Sequence, residues 1–315
     1  MPSSYLITGG AGFIGSSIAR ALLKRGDKVR VLDNFFSGKR ENLAEVAADI
    51  ELIEGDIRDA ATVARACAGV EVVYHEAAIP SVPRSLADPI SSNDVNIAGT
   101  LTVLHEAKKA GVRRLVYAAS SSAYGDTPTL PKVETMSPAP LSPYAVGKLA
   151  GEHYCAVFAG AYGLETVALR YFNVFGARQD PKSEYAAVIP RFVTAGLAGQ
   201  GVTIFGDGTQ SRDFCYIDNT VEANLAAAVA PATGASGRVF NVACGVATTL
   251  NDVVKLISEA LGRPIPITYA ERRVGDVKHS LADVSQARTR LGYTGAVSFE
   301  EGLRRTIAWY AERRP

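Results

Sequence analysis

Thr8-Gly9-Gly10-Ala11-Gly12-Phe13-Ile14-Gly15 follows an apolar run at residues 5–8 and opens an amphipathic stretch at 14–25. The run predicts a strand and the stretch a helix, so three glycines spaced by three stand at a strand-to-helix turn. Gly9 permits the tight turn, Gly12 lets backbone approach a pyrophosphate, and Gly15 lets helix and strand pack closely. Phe13 and Ile14 begin the helix, whose N-terminus offers free N–H groups and a positive dipole end to phosphate. Glycines punctuate any turn; here the strand before and the helix after give the order that dinucleotide binding needs.

Outward from that turn the alternation continues. Residues 28–33, 50–54, 70–75, 114–120 and 166–172 read as strands, and 97–110 and 144–162 as helices. Strand–helix alternation implies right-handed parallel crossovers, hence an α/β chain with a doubly wound parallel sheet. After Gly176 the rhythm changes, with Pro181, Pro190, Gly196, Gly199, Gly201, Gly206 and Gly208 cutting the pattern into short pieces. Helices are expected at 219–229, 250–261, 285–291 and 299–313. Residues 1–176 therefore read as a dinucleotide-binding domain. Residues 177–315 read as mainly a smaller mixed α/β substrate domain, some of whose segments return to the first sheet.

Composition narrows the class. The 315 residues are 47% hydrophobic and 21% charged, enough to bury a sizeable core. Lys plus Arg is 33 against 32 for Asp plus Glu, so nothing in the charge favours nucleic acid or an acidic membrane surface. The longest apolar stretch, near 223–232, is too short to span a bilayer, and the start of the chain has no signal-like segment. Cys67, Cys155, Cys215 and Cys244 are scattered, which fits free thiols in a reducing cytoplasm. His75, His105, His153 and His279 are isolated too, so no metal site is expected.

Asp33 ends the second strand about 20 residues past the glycine turn, where an acid accepts hydrogen bonds from an adenosine ribose. A carboxylate there repels a 2′-phosphate, which favours NAD over NADP; Arg40 nearby would tolerate a phosphate and tempers that preference. Gly55-Asp56-Ile57-Arg58-Asp59 follows the third strand. Asp56 is placed to bond an adenine amino group and Ile57 to flank the ring, although an Asp after a strand is also a common helix cap.

Ser142-Pro143-Tyr144-Ala145-Val146-Gly147-Lys148 carries the most chemistry. Ser142 is a good N-cap and Pro143 suits the first helical position. Tyr144 and Lys148 are then i and i+4, on one helix face. A tyrosine with its ordinary pKa of about 10 is a poor base at neutral pH. An ammonium beside it and a cationic nicotinamide above it favour tyrosinate, as general base catalysis requires. Ser120, Ser121 and Ser122 end the fifth strand at the ligand-binding edge, where a hydroxyl could share Tyr144's substrate oxygen. The run itself leaves open which serine does so.

Taken with Asp33-Asn34, Ala77-Ala78, Asn96, Ser120 to Gly125, Tyr171-Phe172-Asn173, Arg212-Asp213-Phe214 and Arg273-Val274-Gly275-Asp276, these motifs resemble the extended short-chain dehydrogenase/reductases. Within that family they are most similar to the UDP-hexose 4-epimerases. The resemblance implies a Rossmann-type fold and a homodimer formed through the helices at 97–110 and 144–162. It implies NAD held by Gly9, Gly12, Phe13, Ile14, Gly15, Asp33, Asn34, Asp56, Ile57, Ala77, Ala78, Asn96, Tyr144, Lys148 and Phe172. It makes Tyr144 the base, Lys148 the partner of the nicotinamide ribose and Ser120 the second hydroxyl. Phe172 and Asn173 would sit between cofactor and substrate, and Arg212, Arg273 and Asp276 would hold the nucleotide diphosphate.

Two departures sharpen that expectation. Related dehydratases and decarboxylases have an acid just before the Tyr-Gly that closes the strand loop, where this chain has Ser121 and Ser122. The reaction should therefore stop at oxidation and return of a hydride. Ser280 stands where the resemblance puts a bulky residue against the sugar, and its small size leaves room for a 2-acetamido group. The expected function is interconversion of UDP-GlcNAc and UDP-GalNAc, with UDP-glucose and UDP-galactose as a second pair. A 4-epimerase of UDP-glucuronate, or a decarboxylase, would need an extra cation such as Arg84 or Arg178. A non-catalytic NAD sensor on the same fold is argued against by the intact Tyr144 and Lys148.

Overall fold

The computed structural model describes residues 3–181, 187–272 and 278–313. Its centre is a seven-stranded, wholly parallel sheet. Six strands come from residues 1–176: β1 (Ser4–Thr8), β2 (Lys28–Asp33), β3 (Ile50–Glu54), β4 (Val72–His75), β5 (Arg114–Ser120) and β6 (Glu165–Tyr171). After the two-residue β7 (Val174–Phe175) come β8 (Val202–Phe205), β9 (Ser211–Asp213), β10 (Cys215–Tyr216) and the seventh strand of the sheet, β11 (Arg238–Val242). The strands β12 (Ala247–Thr249) and β13 (Ile267–Ala270) complete the set. The sheet runs β3-β2-β1-β4-β5-β6-β11. Its order reverses between β1 and β4, the kind of switch point at which α/β sheets open a ligand crevice.

The helices of the first half are α1 (Phe13–Lys24), α2 (Ala60–Cys67), α3 (Val82–Ala87), α4 (Pro89–Asn93), α5 (Thr100–Lys109) and α6 (Pro143–Tyr162). Those of the second half are α7 (Val188–Leu197), α8 (Ile217–Val229), α9 (Ala232–Ala235), α10 (Leu250–Leu261), α11 (Ser285–Leu291) and α12 (Phe299–Glu312). The strands are apolar on both faces because both are covered. One core layer joins Leu6, Val73, Leu115 and Tyr117 to residues of α2, α5 and α6. The other joins Ile7, Tyr74, Val116 and Leu169 to α1, α8 and the second half of the chain. Thus α8 and β11, both beyond residue 177, pack on and into the first sheet.

The remainder of the second half is built from strand pairs, β8 with β13, β9 with β12 and β7 with β10, flanked by α7, α10 and α12. The prolines and glycines that break the sequence pattern hide two of these elements. Pro190 falls in the first turn of α7, where a missing N–H costs nothing, so the helix continues through it. The strand β8 is only four residues long and alternates buried with exposed. The helix expected at 97–110 starts earlier, as a π-turn at Asp94–Gly99 that buries Asn96, and becomes α5 at Thr100. Among the described residues no helix is long and apolar enough to cross a membrane.

Candidate active site

The glycine turn is built for close approach. Gly9 has φ of +71°, donates to Leu32 O at 2.8 Å, and a Cβ there would lie 2.7 Å from the Ala77 backbone. At Gly15 a Cβ would come within 2.4 Å of the Gly9 carbonyl oxygen. Gly12 caps α1 without a side chain over the first-turn N–H groups at Phe13, Ile14 and Gly15, so the helix end suits a pyrophosphate. Asp33 is buried, and its carboxylate accepts from Ala11 N and Phe35 N, both at 2.8 Å. Burial pushes its pKa up while the two N–H groups pull it down. Each oxygen keeps a further lone pair for a ribose hydroxyl. Arg40 is engaged elsewhere, 2.5 Å from Glu54 and stacked 4.0 Å over the Phe35 ring, so the cation that would accept a 2′-phosphate is already paired. The set fits NAD.

Around it the structure distributes the other expected cofactor residues. Asn34 Nδ2 donates to Asp56 Oδ2 at 3.0 Å. Arg58 forks onto the same carboxylate at 2.9 and 2.7 Å and holds its pKa down to about 2. Ile57 is buried beneath Gly99. Ala77 and the half-buried Ala78 continue from β4 at the crevice mouth. Asn96 is committed to the next step of that loop: its Oδ1 accepts from Ile79 N at 2.8 Å and its Nδ2 donates to Ile79 O at 3.2 Å. Its structural contribution is to fix the loop after β4.

Ser142 caps α6 by accepting from Ala145 N at 3.2 Å, and Pro143 fills the first turn. This start places Tyr144 and Lys148 one turn apart beside the carboxyl end of β5. Lys148 is buried; its Nζ donates to Ala118 O at 2.7 Å and lies 5.2 Å from the centre of the Tyr117 ring. Burial lowers its pKa to about 8, against the opposing pull of Glu76 and Glu152. Burial raises the pKa of the Tyr144 hydroxyl, the Ser120 side chain lowers it, and the Glu76 charge raises it. Of the three serines, Ser120 is the one whose side chain acts on Tyr144. Ser122 steadies it, donating to Ser120 Oγ from N at 3.2 Å and from its own Oγ at 2.9 Å. Ser121 opens the short 3₁₀ turn that follows.

Beyond β6 the chain forms a cavity of about 270 Å³, lined by Asn173, Phe175, Arg191, Gln210, Arg212 and Phe214 among others. Asn173 stands two residues past Tyr171, which pairs with Ser120 in the sheet. Asn173 has φ of +35° and donates from Nδ2 to Asp213 O at 3.1 Å. Arg212 donates to Ser211 O at 2.9 Å and Lys278 O at 3.1 Å. The neighbouring Asp213 is buried and accepts from Cys244 N, Gly245 N and Ala282 N at 2.9 to 3.1 Å, tying β9 to two later segments. Burial pushes its pKa up to about 6. Phe172 is buried with its ring 6.1 Å from that of Tyr124. Ser280 is half-buried beside β9, its N donating to Ser211 O at 3.1 Å, and does not itself line the cavity. Arg273 and Asp276 lie outside the described residues. Among the described residues no three His, Cys, Asp or Glu side chains converge as a metal set.

Sequence reasoning missed Glu76, Arg191 and Gln210. Gln210 stands two residues before Arg212 and was within reach of its motif. Arg191 rides on α7, which the flanking prolines concealed. Nothing around Glu76 in the sequence announces it, since its partner lies far along the chain.

The chain is similar to known proteins along nearly its whole length. The model of the NAD dependent epimerase/dehydratase family matches residues 5–243. A UDP-glucose 4-epimerase of Mycolicibacterium smegmatis is 40% identical over 312 residues, 98% of each chain. Among solved structures, a UDP-N-acetylglucosamine 4-epimerase of Methanobrevibacter ruminantium, in complex with UDP-N-acetylmuramic acid, has a TM-score of 0.94 and 40% identity over the whole of both chains. A UDP-glucose 4-epimerase of Thermus thermophilus in complex with NAD has a TM-score of 0.89 and 36% identity, covering 99% of this chain and 100% of that one.

Proposed function

The chain belongs to the NAD-dependent epimerase/dehydratase family, and on that premise we propose that it inverts C4 of UDP-hexoses, with UDP-GlcNAc and UDP-GalNAc as its main pair. UDP-glucose and UDP-galactose form the second pair. The observation that carries this reading is the Ser120–Tyr144–Lys148 grouping at the end of β5, with serines rather than acids at 121 and 122; a cavity bordered by Asn173 and Arg212 supports it.

The glycine turn and Asp33 would hold NAD, which when bound would supply a reversible acceptor for the C4 hydride, with no net consumption. Tyr144 removes the 4-hydroxyl proton and later returns it, and Ser120 holds the same oxygen. Lys148 supplies positive charge next to the phenol and favours its anion. Asn173 stands between cofactor and substrate, and Arg212, Arg273 and Asp276 anchor the nucleotide diphosphate, arginine forks being suited to its phosphate oxygens. The sugar turns about that anchor to present its opposite face. Residues 1–176, with α8 and β11 added, hold the cofactor, and most of the remainder holds the nucleotide sugar. Of the cations a glucuronate substrate would call on, Arg84 and Arg178 do not line the cavity: Arg84 stacks over Phe36 at 5.2 Å and Arg178 donates to Ser17 Oγ at 3.1 Å, whereas Arg191 does line it.

The test is direct. Purified protein incubated separately with UDP-GlcNAc, UDP-glucose and UDP-glucuronate, with products identified by proton NMR, should invert the first and, more slowly, the second. Inversion of the glucuronate alone would overturn the substrate assignment. Tyr144→Phe should keep the fold and lose about 10²–10⁴-fold in kcat, the usual cost of a missing general base. A variant turning over near the wild-type rate would remove Tyr144 from the mechanism.

A further inference from the structure

Two loops flank the glycine turn, because β1 lies between β2 and β4 in the sheet. The loop after β2 grips one side. Ala11 N donates to Asp33 Oδ2 at 2.8 Å, and Ala11 O accepts from Lys39 N at 3.0 Å and from Asn42 Nδ2 at 2.9 Å. The loop after β4 presses on the other side, with Ala77 so close to Gly9 that no Cβ fits between them. Beyond the turn the two loops meet each other. The Arg84 guanidinium on α3 lies over the Phe36 ring, 5.2 Å from its centre. These links close a ring, from residues 9–11 to Asp33, along the chain to Phe36, across to Arg84, and back through Ala77 to Gly9. The ring runs through the residues that lead into the α1 N-terminus, the end suited to a pyrophosphate.

Phe36 is aimed by a strained turn. Phe35 holds φ of +58°, a left-handed conformation unfavourable for a residue with a Cβ. Such strain persists only where the surroundings over-determine it, and it gathers at ligand clamps and switches. Here Phe35 N donates to Asp33 Oδ1 at 2.8 Å, Phe36 N donates to Asn34 Oδ1 at 3.1 Å, and Arg40 covers the Phe35 ring. Phe36 itself is 61% exposed, so the strain does not serve the core. The opposite jaw is firm: Ser81 caps α3 by accepting from Arg84 N at 3.2 Å, and α3 packs on α4 and α6. Lys39, three residues past Phe36, ties the same loop to Asp180 at 2.7 Å.

We propose that Phe36 and Arg84 form a clasp across the cofactor crevice, which must open for NAD to enter or leave. The proposal rests on the reading of the glycine turn and Asp33 as the NAD site. It goes beyond that reading by giving two side chains outside the set the task of retaining the cofactor. Retention matters to a reaction that takes a hydride and returns it. Reduced cofactor lost between the two steps would leave the sugar behind as a ketone. The contact joins protein to protein, so breaking it eases opening whether or not NAD is bound. Entry and exit should therefore quicken together, with little change in affinity at equilibrium.

Phe36→Ala and Arg84→Met each delete the contact and leave the backbone bonds of both jaws in place. Exchange is read by mixing the purified NAD-loaded protein with excess isotope-labelled NAD and following the label into the protein fraction. Each variant should exchange about 2- to 5-fold faster than wild type, the order expected of one such contact at an exposed site. The double variant should exchange no faster than the quicker single one, because the same contact is lost only once. Phe36→Tyr keeps the ring face and should exchange at the wild-type rate. Equilibrium dialysis should show that the Kd for NAD changes less than the exchange rate does. Single variants that exchange like wild type overturn the clasp, as do effects that multiply in the double variant. A Kd that rises in step with the exchange rate overturns it too, since that is the mark of an ordinary binding contact. Protein that neither carries nor binds NAD would strike down the cofactor reading itself, whereas bound NAD with unaltered exchange strikes down the clasp alone.

Discussion

Ser280 is a small residue whose backbone is tied to Ser211, next to the arginine that borders the cavity. On the proposed substrate assignment, a bulky side chain there would crowd the 2-acetamido group. Ser280→Tyr should therefore suppress the acetamido pair selectively, since overpacking a fixed pocket costs about 1–3 kcal/mol, or roughly 5- to 150-fold. The ratio of kcat/KM for UDP-GlcNAc to that for UDP-glucose reads the effect. Equal loss on both would show that Ser280 does not govern C2. Residues of this kind differ in how far a sequence discloses them. Tyr144 and Lys148 are visible as a helical i, i+4 pair behind a cap. Among Ser120, Ser121 and Ser122, only Ser120 ends β5 and acts on Tyr144, and a run of three identical residues hides that. Glu76 is invisible for a stronger reason: its donor is Tyr171, two strands away in the sheet, and only strand order brings the two together.

Among the elements, α6 carries the greatest demands. It presents Tyr144 and Lys148 to the crevice, and its next turn carries Glu152, which receives the fork of Arg170 from β6 at 2.8 and 2.7 Å. Both side chains are nearly inaccessible, 3% and 4% exposed, and Arg170 also lies 4.5 Å over the Tyr124 ring. Removing one partner leaves the other charge buried and unpaired. Glu152→Ala should cost about 3–5 kcal/mol in urea denaturation, whereas replacing Glu152 and Arg170 together with methionines should cost much less. Equal destabilisation by the single and double changes would argue that packing, not charge, sets the requirement. Elements with clear ends were also the ones read correctly from sequence. The Thr249 cap and Gly262 bound α10, and Gly292 closes α11 in a left-handed turn. The pairing of β8 with β13 was not legible, because a four-residue strand gives too few alternations to register as a period.

At the scale of the whole molecule, α5 and α6 lie side by side on one face of the sheet. The outer side of α6 leaves Val146, Val157 and Tyr162 about half exposed. We expect this face to join two copies into a homodimer, as the family resemblance implies. Sedimentation velocity should give a dimer for the wild type and a monomer for Val157→Glu, which puts a charge into that apolar face. A wild type that sediments as a monomer would dismiss the interface. With a net charge of +1, long-range repulsion between copies gives no obstacle.

The position of β11 bears on how the protein is made. Synthesis delivers β6 when Tyr171 has been added, yet its outer neighbour begins only at Arg238. While the ribosome works through the residues between, β6 is a bare edge with a row of amide groups and no strand to meet them. A nascent chain in that state is open to pairing with any other exposed edge. The elongation rate across that interval, and what shields β6 during it, are thus part of what decides the yield of native enzyme.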